Sequence, residues 1–398
     1  GEATIDGKSR GLELLSENGI TANGHALTLK GNYGVVHGGI SLGHGATTVH
    51  GSWLWLGNNT FTGQLRVEDG MLQVGDAQTE GVLHASSIHL HTINAYLSIN
   101  GSQDRSLTVP VTGSGSLIHG GTGVLTIDNI DSFAGRVFTS SDPVHILTDG
   151  HLALSRLSLG YLEISRDSWA RYVGSSPNAS SRTDISIVPK AESFTTTLEL
   201  NAKVDFLSDL TVGGPTNLAD VSLNGEVYLD DHLHITARDI HIGAPVWVGN
   251  PWTLTGAIRL NATRNITQSH EIVTPGLALL GGADASLADV DNDVVVIAGG
   301  SSGSRMGALT FVNSGPLEIG TINPTGIYSN GDLRIETLDG DLTLSQNINT
   351  TSTSSTAVVL NAGKSANAGS ASGGNIVVSG TPTLTVGAGG RATLFTGS

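Results

Sequence analysis

The sequence predicts an all-β chain built from repeated strand-turn units, and three observations carry that reading. Short runs of Val, Ile, Leu and Thr alternate with polar residues along most of the 398 positions, the period of a half-buried strand. No window sustains apolar residues at helical spacing over several turns. Glycine supplies 54 residues while charged residues make up only 14%, against roughly a quarter in ordinary globular chains. That composition suits many tight corners and few solvated helix faces.

From Ile5 to Leu56 the units are short: Leu12-Glu13-Leu14, Ala26-Leu27-Thr28-Leu29, Gly34-Val35-Val36 and Ser52-Trp53-Leu54-Trp55-Leu56. Most are followed within a few positions by Asn-Gly, Gly-Gly or Gly-Asn, residues that tolerate positive φ at corners. The next stretch, GNNTFTGQLRVEDGMLQVGD from Gly57 to Asp76, sets Gln64-Leu65-Arg66-Val67-Glu68 and Met71-Leu72-Gln73-Val74 on either side of Asp69-Gly70. Alone it reads as a hairpin or as one corner of a coil. A looser copy fills Gly121 to Gly150. Strong strands recur at a spacing of roughly 8 to 12 residues, which fits a sandwich, a barrel or a solenoid.

Between Arg156 and Lys190 the alternation weakens, and five of the 19 basic residues fall there: Arg156, Arg166, Arg171, Arg182 and Lys190. With Tyr161, Trp169, Tyr172 and the run Gly174-Ser175-Ser176-Pro177-Asn178, this reads as a projecting loop or small lobe, or as one irregular coil. Arg156, Arg166, Trp169, Arg171, Tyr172 and Arg182 are its candidate ligand contacts. From Thr196 the strands return in dense order, and Ala308 to Ile348 has the cleanest period. The stretch from Asn349 to Asn375 is rich in Ser, Thr, Gly and Ala but is interrupted by Val358-Val359-Leu360. It reads as thin coils carrying small residues outside.

Composition also removes several chemistries. Cysteine is absent, so neither disulfides nor thiolate metal centres are available. A net charge of -16 with no basic stripe disfavours nucleic acid. No run of apolar residues is long enough for a membrane helix and no leader opens the chain. Repetition, low charge and abundant Asn, Ser and Thr lean towards export. Six Asn-x-Ser/Thr sequons, beginning at Asn58, Asn100, Asn178, Asn261, Asn265 and Asn349, are a weak signal in so Asn-rich a chain.

The stretch around Gly57 to Asp76 resembles the autotransporter-associated β-strand repeat, matching it at Asn59, Phe61, Gly63, Gly70, Leu72 and Val74. Gly113 to Phe138 resembles the same repeat, with Asp131-Ser132-Phe133 in place of the usual Asn-x-Tyr. Ala308 to Ile348 resembles the coils of filamentous-haemagglutinin-like exoproteins. The resemblance implies a right-handed parallel β-helix running continuously over 1–398, an internal passenger segment of a large bacterial surface or secreted protein. With about 20 residues per coil it would hold roughly 20 coils in a rod about 90 Å long. Alternation then sends Leu65 and Val67 inward and Gln64, Arg66 and Glu68 outward, around an aliphatic column.

Candidate chemistry is sparse. Asp289, Asp291 and Asp293 share a face if their segment is extended, and could hold a weakly bound Ca²⁺ or serve acid-base work. Val294 and Gly300 stand where an EF-hand needs Gly and Glu, which favours a solvated turn. His89 with His91, and His232 with His234, are i,i+2 pairs able to chelate a metal or to sit as plain surface residues. Trp53 and Trp55 share a face, as a sugar-stacking platform or as fillers of the column. Gly43-His44-Gly45, Asp230-Asp231 and Arg334-Ile335-Glu336 echo pectin-cleaving enzymes but in the wrong order.

The expected function is therefore non-enzymatic and needs no cofactor: an extracellular adhesin on the bacterial surface, touching glycans or proteins of host or neighbouring cells, or its own kind. In the full-length protein an outer-membrane translocator would export it. A structural filament or matrix protein is the alternative, and a polysaccharide-active enzyme the third reading.

Overall fold

The computed structural model describes the chain except residues 9–10, 16–18, 77, 121–122, 124, 131, 140–143, 149–150, 153–155, 160–184, 190–196, 201–202, 207–209, 214–218, 250–254, 368–372 and 397–398. Side-chain surroundings are described outside 139–199 and 201–209. Among the described residues every regular element is a strand, and neighbouring strands pair in parallel with residues one coil away. The protein is a parallel β-solenoid. Its chain divides into two compact units, Gly1–Lys190 with Asn201–Phe206, and Ala191–Leu200 with Leu207–Ser398.

In the first unit one register column runs Leu12, Gly34, Trp53, Leu72, Leu97, Leu117, Val137, Leu157. A smaller sheet, made of Ile20–Thr21, Ile40–Gly43, Asn58–Phe61 and Val82–His84, stacks beside it. In the second unit a column runs Leu198, Val221, Ile240, Ile266, Ala285, Leu309, Leu333, Val358, Ala392. There are fewer coils than the roughly 20 expected from a 20-residue repeat, because several coils are longer. Leu72 to Leu97 spans 25 residues and Val358 to Ala392 spans 34.

Gln64–Val74 is a single bent strand of 11 residues. Leu65 pairs with Thr47 and Ile88, and Leu72 with Trp53 and Leu97. Asp69-Gly70 is therefore a corner of a coil, not a hairpin tip. The corner is built from stacked glycines: Gly31, Gly51 and Gly70 all have positive φ, at 148°, 80° and 73°. A Cβ on Gly51 would lie 1.9 Å from the Gly31 carbonyl oxygen, and one on Gly70 would lie 2.3 Å from that of Gly51. Only glycine satisfies both the dihedral and the close approach of successive coils.

Alternation fills the interior as the sequence requires. Leu65, Val67, Leu72 and Val74 are fully buried, while Gln64 is exposed and Arg66 and Glu68 are half-buried. The interior is not purely aliphatic, however. Trp53, Trp55, Phe61, Phe133 and Phe311 are buried in it, as are the polar Asn59, Asn292 and Asn313. The asparagines act as clamps between coils. Asn59 Oδ1 accepts the Ile40 N–H at 3.1 Å, Asn292 Oδ1 that of Ile272 at 2.8 Å, and Asn313 Oδ1 that of Val294 at 2.8 Å. Each Nδ2 donates to backbone carbonyls around its own corner, Gly57 for Asn59, Leu287 for Asn292 and Gly315 for Asn313. Corners bury backbone groups that the ladder leaves unpaired, and an inward amide supplies donor and acceptor together.

Outside corners are held by charge. Asp220 receives Arg238, Asp239 receives Arg264, and the Asp239 carboxylate also accepts from Asn265. Glu80 accepts the Ser102 and Gln103 N–H groups of the next coil and pairs with Arg105. Desolvation pushes its carboxyl up, but the Arg105 and Ser102 hydrogen bonds outweigh it and hold the group at about 2. A folded value below the ordinary 4.5 contributes stability that is present above the ordinary value and lost as pH falls towards the folded one. Acid unfolding followed by circular dichroism should therefore show a shallower decline between those two values in Glu80→Gln than in the parent chain. An unchanged slope would remove Glu80 from the acid response.

Candidate functional site

Trp53 and Trp55 do not form an outward platform. Trp53 is 2% exposed and Trp55 0%. In Ser52-Trp53-Leu54-Trp55-Leu56 either alternate set could turn inward, and it is the indoles that do. Trp53 lies opposite Gly34, whose missing side chain makes the room: a Cβ there would meet the indole at 2.3 Å. Trp53 Nε1 donates to the His50 carbonyl, and Trp55 meets Phe61 edge-on at 6.3 Å. Both rings are structural.

The acidic run is not extended, which removes the premise that its carboxylates share a face. Asp289 Oδ1 accepts the Asp291 N–H at 2.9 Å, closing a turn that aims Asn292 into the core. Asp289 is half-buried, Asp291 and Asp293 are exposed, and among the described residues no group of three or more His, Cys, Asp or Glu could hold a metal ion. A Ca²⁺ site at Asp289, Asp291 and Asp293 is thereby set aside.

Arg156 lies in the strand Arg156–Leu159, paired with Arg136–Thr139 and with Lys203–Phe206, so its backbone belongs to a coil. Arg166, Trp169, Arg171, Tyr172 and Arg182 lie outside the described residues. The register records extra chain here: Val144 pairs with Ile185, 41 residues on, where Leu125 pairs with Val144 after 19.

The histidine pairs do share a face. His89 and His91 have ring centroids 5.6 Å apart, and His232 and His234 5.9 Å. Their neighbours are protein groups: Thr112 Oγ1 at 2.9 Å from His89 Nδ1, Glu68 at 3.7 Å from His91 Nε2, and Asp231 on His232 Nδ1. Burial, then Arg66 and His91, depress the pKa of His89, and the Arg66 guanidinium so close to its imidazole opposes a second cation. The pectinase-like fragments are equally local. His44 contacts Thr62 Oγ1 at 2.7 Å, and Glu336, 1% exposed on its side chain, sits between Arg334 and Lys364, 2.6 Å from each.

An outward aromatic pair lies elsewhere, in the second unit. Val227–Leu229 and Val246–Val248 are paired strands of successive coils, with Tyr228 opposite Trp247. Val227, Leu229, Val246 and Val248 are buried, so the aromatic between each pair points outward. The two rings lie 5.8 Å apart at 54°, and Trp247 is 47% exposed. Trp247 Nε1 donates to Glu271 Oε1 at 3.4 Å, and along its ladder the indole stands between Tyr228 and Val273. The next residues along this column are Val273 and the exposed Asp293. Glu226, two residues before Tyr228 and just outside the strand, is also exposed. The sequence signal for this pair was an aromatic between two aliphatics, Val-Tyr-Leu and Val-Trp-Val, which assigns the inward set without ambiguity. Against family models, curated proteins and solved structures alike, the chain finds no match.

Proposed function

We propose that this chain is a non-enzymatic adhesin segment, exported through an outer-membrane translocator of the full-length protein and displayed on the bacterial surface. The solenoid and the repeat resemblance around Asn59 to Val74 support an autotransporter-passenger-like origin. The single observation that carries the binding role is the outward Tyr228–Trp247 pair with Glu271. A stacked scaffold holds such side chains in fixed positions, and display in many copies sums weak contacts into attachment. The test is adhesion of beads coated with the chain to cells or abiotic surfaces. Coated beads are expected to attach or aggregate where bare beads do not, and indifference to the coating would contradict the proposal.

A second reading is self-association of the chain into structural filaments. It predicts concentration-dependent fibres in electron micrographs.

A further inference from the structure

The Tyr228–Trp247 surface has the chemistry of a sugar site, and we propose that it binds an uncharged glycan, one pyranose ring stacked on the indole of Trp247 and its neighbour reaching Tyr228. The inference rests on the adhesin reading and names its ligand class. Three features of the surface select that class. An indole that is 47% exposed, with Glu271 at its Nε1 edge and a tilted neighbour ring 5.8 Å away, leaves apolar ring surface open to a ligand. Such faces match the C–H side of a pyranose, which is apolar on its ring faces and polar around its rim. The two rings come from successive coils, and parallel strands repeat at about 4.8 Å. The platform is therefore elongated across the coils and suits consecutive residues of an extended chain better than a single compact ligand.

Among the described residues, acidic groups stand beside the rings. Glu271 touches Trp247, Asp293 follows in the same column after Val273, and Glu226 stands two residues before Tyr228. Ionised carboxylates only accept hydrogen bonds, and the hydroxyls of a sugar are donors that suit them. The same carboxylates, on a chain of net charge -16, repel uronic and sialic acids. A polycation is the competing partner for acidic groups beside aromatic rings, through cation–π contact. It is disfavoured because the indole's orientation toward Glu271 places the acid at the ring edge, where it receives rim hydroxyls, and not across the ring face.

The experiment uses the whole chain. Binding of cellohexaose, chitohexaose and a wider array of uncharged oligosaccharides is measured by calorimetry and tryptophan fluorescence, with polygalacturonate and oligolysine as charged comparisons. An uncharged oligosaccharide is expected to bind, to lose at least tenfold in affinity in Trp247→Ala and several-fold in Glu271→Gln, and polygalacturonate is expected not to bind. Trp247→Ala should leave the thermal midpoint nearly unchanged, as for a surface substitution. Binding that survives Trp247→Ala overturns the proposal, as does recognition of oligolysine alone or of no uncharged glycan. Coated-bead adhesion separates this result from the broader reading. Adhesion that persists in Trp247→Ala removes the sugar site but keeps the adhesin, whereas beads that never adhere remove the adhesin itself.

Discussion

Trp53→Ala is expected to destabilise the first unit by about 3–5 kcal/mol, the range for deleting a large buried aromatic. The hole cannot collapse easily, because the position opposite is Gly34, which has no side chain to move into it. Gly34→Ala in the parent chain should itself cost about 1–3 kcal/mol, since its Cβ would press on the indole. In the Trp53→Ala background the same Gly34→Ala change should be neutral or stabilising. That reversal is a coupling of about 0.5–3 kcal/mol between residues in contact, read by urea denaturation of the four chains. Additive losses would mean that Gly34 and Trp53 do not face each other across adjacent coils.

Asn292→Ala should be the next most damaging change, at about 3 kcal/mol or more, because each buried backbone group left unpaired costs about 1–3 kcal/mol. The side chain serves the Ile272 N–H, the Val312 carbonyl and both polar atoms of the Gln268 amide. Asn292→Asp separates hydrogen bonding from volume. It keeps an acceptor for Ile272 but turns a carboxylate towards the Leu287 and Val312 carbonyls that Nδ2 now satisfies. Burial of that charge should make the variant weakest near neutral pH and let it recover as pH falls and the carboxyl protonates. A melting temperature independent of pH in Asn292→Asp would contradict the clamp.

The repeat around Gly57 to Asp76 was readable because each of its marked residues answers a geometric demand of stacking. Asn59 is the inward clamp, Phe61 packs on Trp55, and Leu72 and Val74 fill the column. Gly63 approaches the Gly45 carbonyl too closely for a Cβ, at 2.1 Å, and Gly70 turns the corner. What local pattern could not supply is which alternate set faces in when both sets are apolar. Trp53 and Trp55 alternate with Leu54 and Leu56, which are apolar too, and only the glycine opposite, 19 residues before Trp53, decides for the indoles. Tyr228 and Trp247 posed no such ambiguity, yet they become a pair only through a register 19 residues long. The acidic run from Asp289 to Asp293 misled for a related reason. Its period suits a strand, but Asn292 is drawn into the core by backbone groups from two other coils.

Residues displayed together are neighbours across coils, and a cross-linking measurement tests that claim most directly. The chain has no cysteine, so introduced pairs report cleanly. Arg66 is in register with His89 of the next coil, at the roughly 4.8 Å of paired strands, within the span a disulfide bridges. A hairpin turning at Asp69-Gly70 would instead set Arg66 opposite Gln73. Arg66→Cys with His89→Cys is expected to form an intramolecular disulfide on mild oxidation, while Arg66→Cys with Gln73→Cys is expected not to. The reverse outcome would contradict the stacked-coil register of the first unit, on which the coil reading of Gly57 to Asp76 depends.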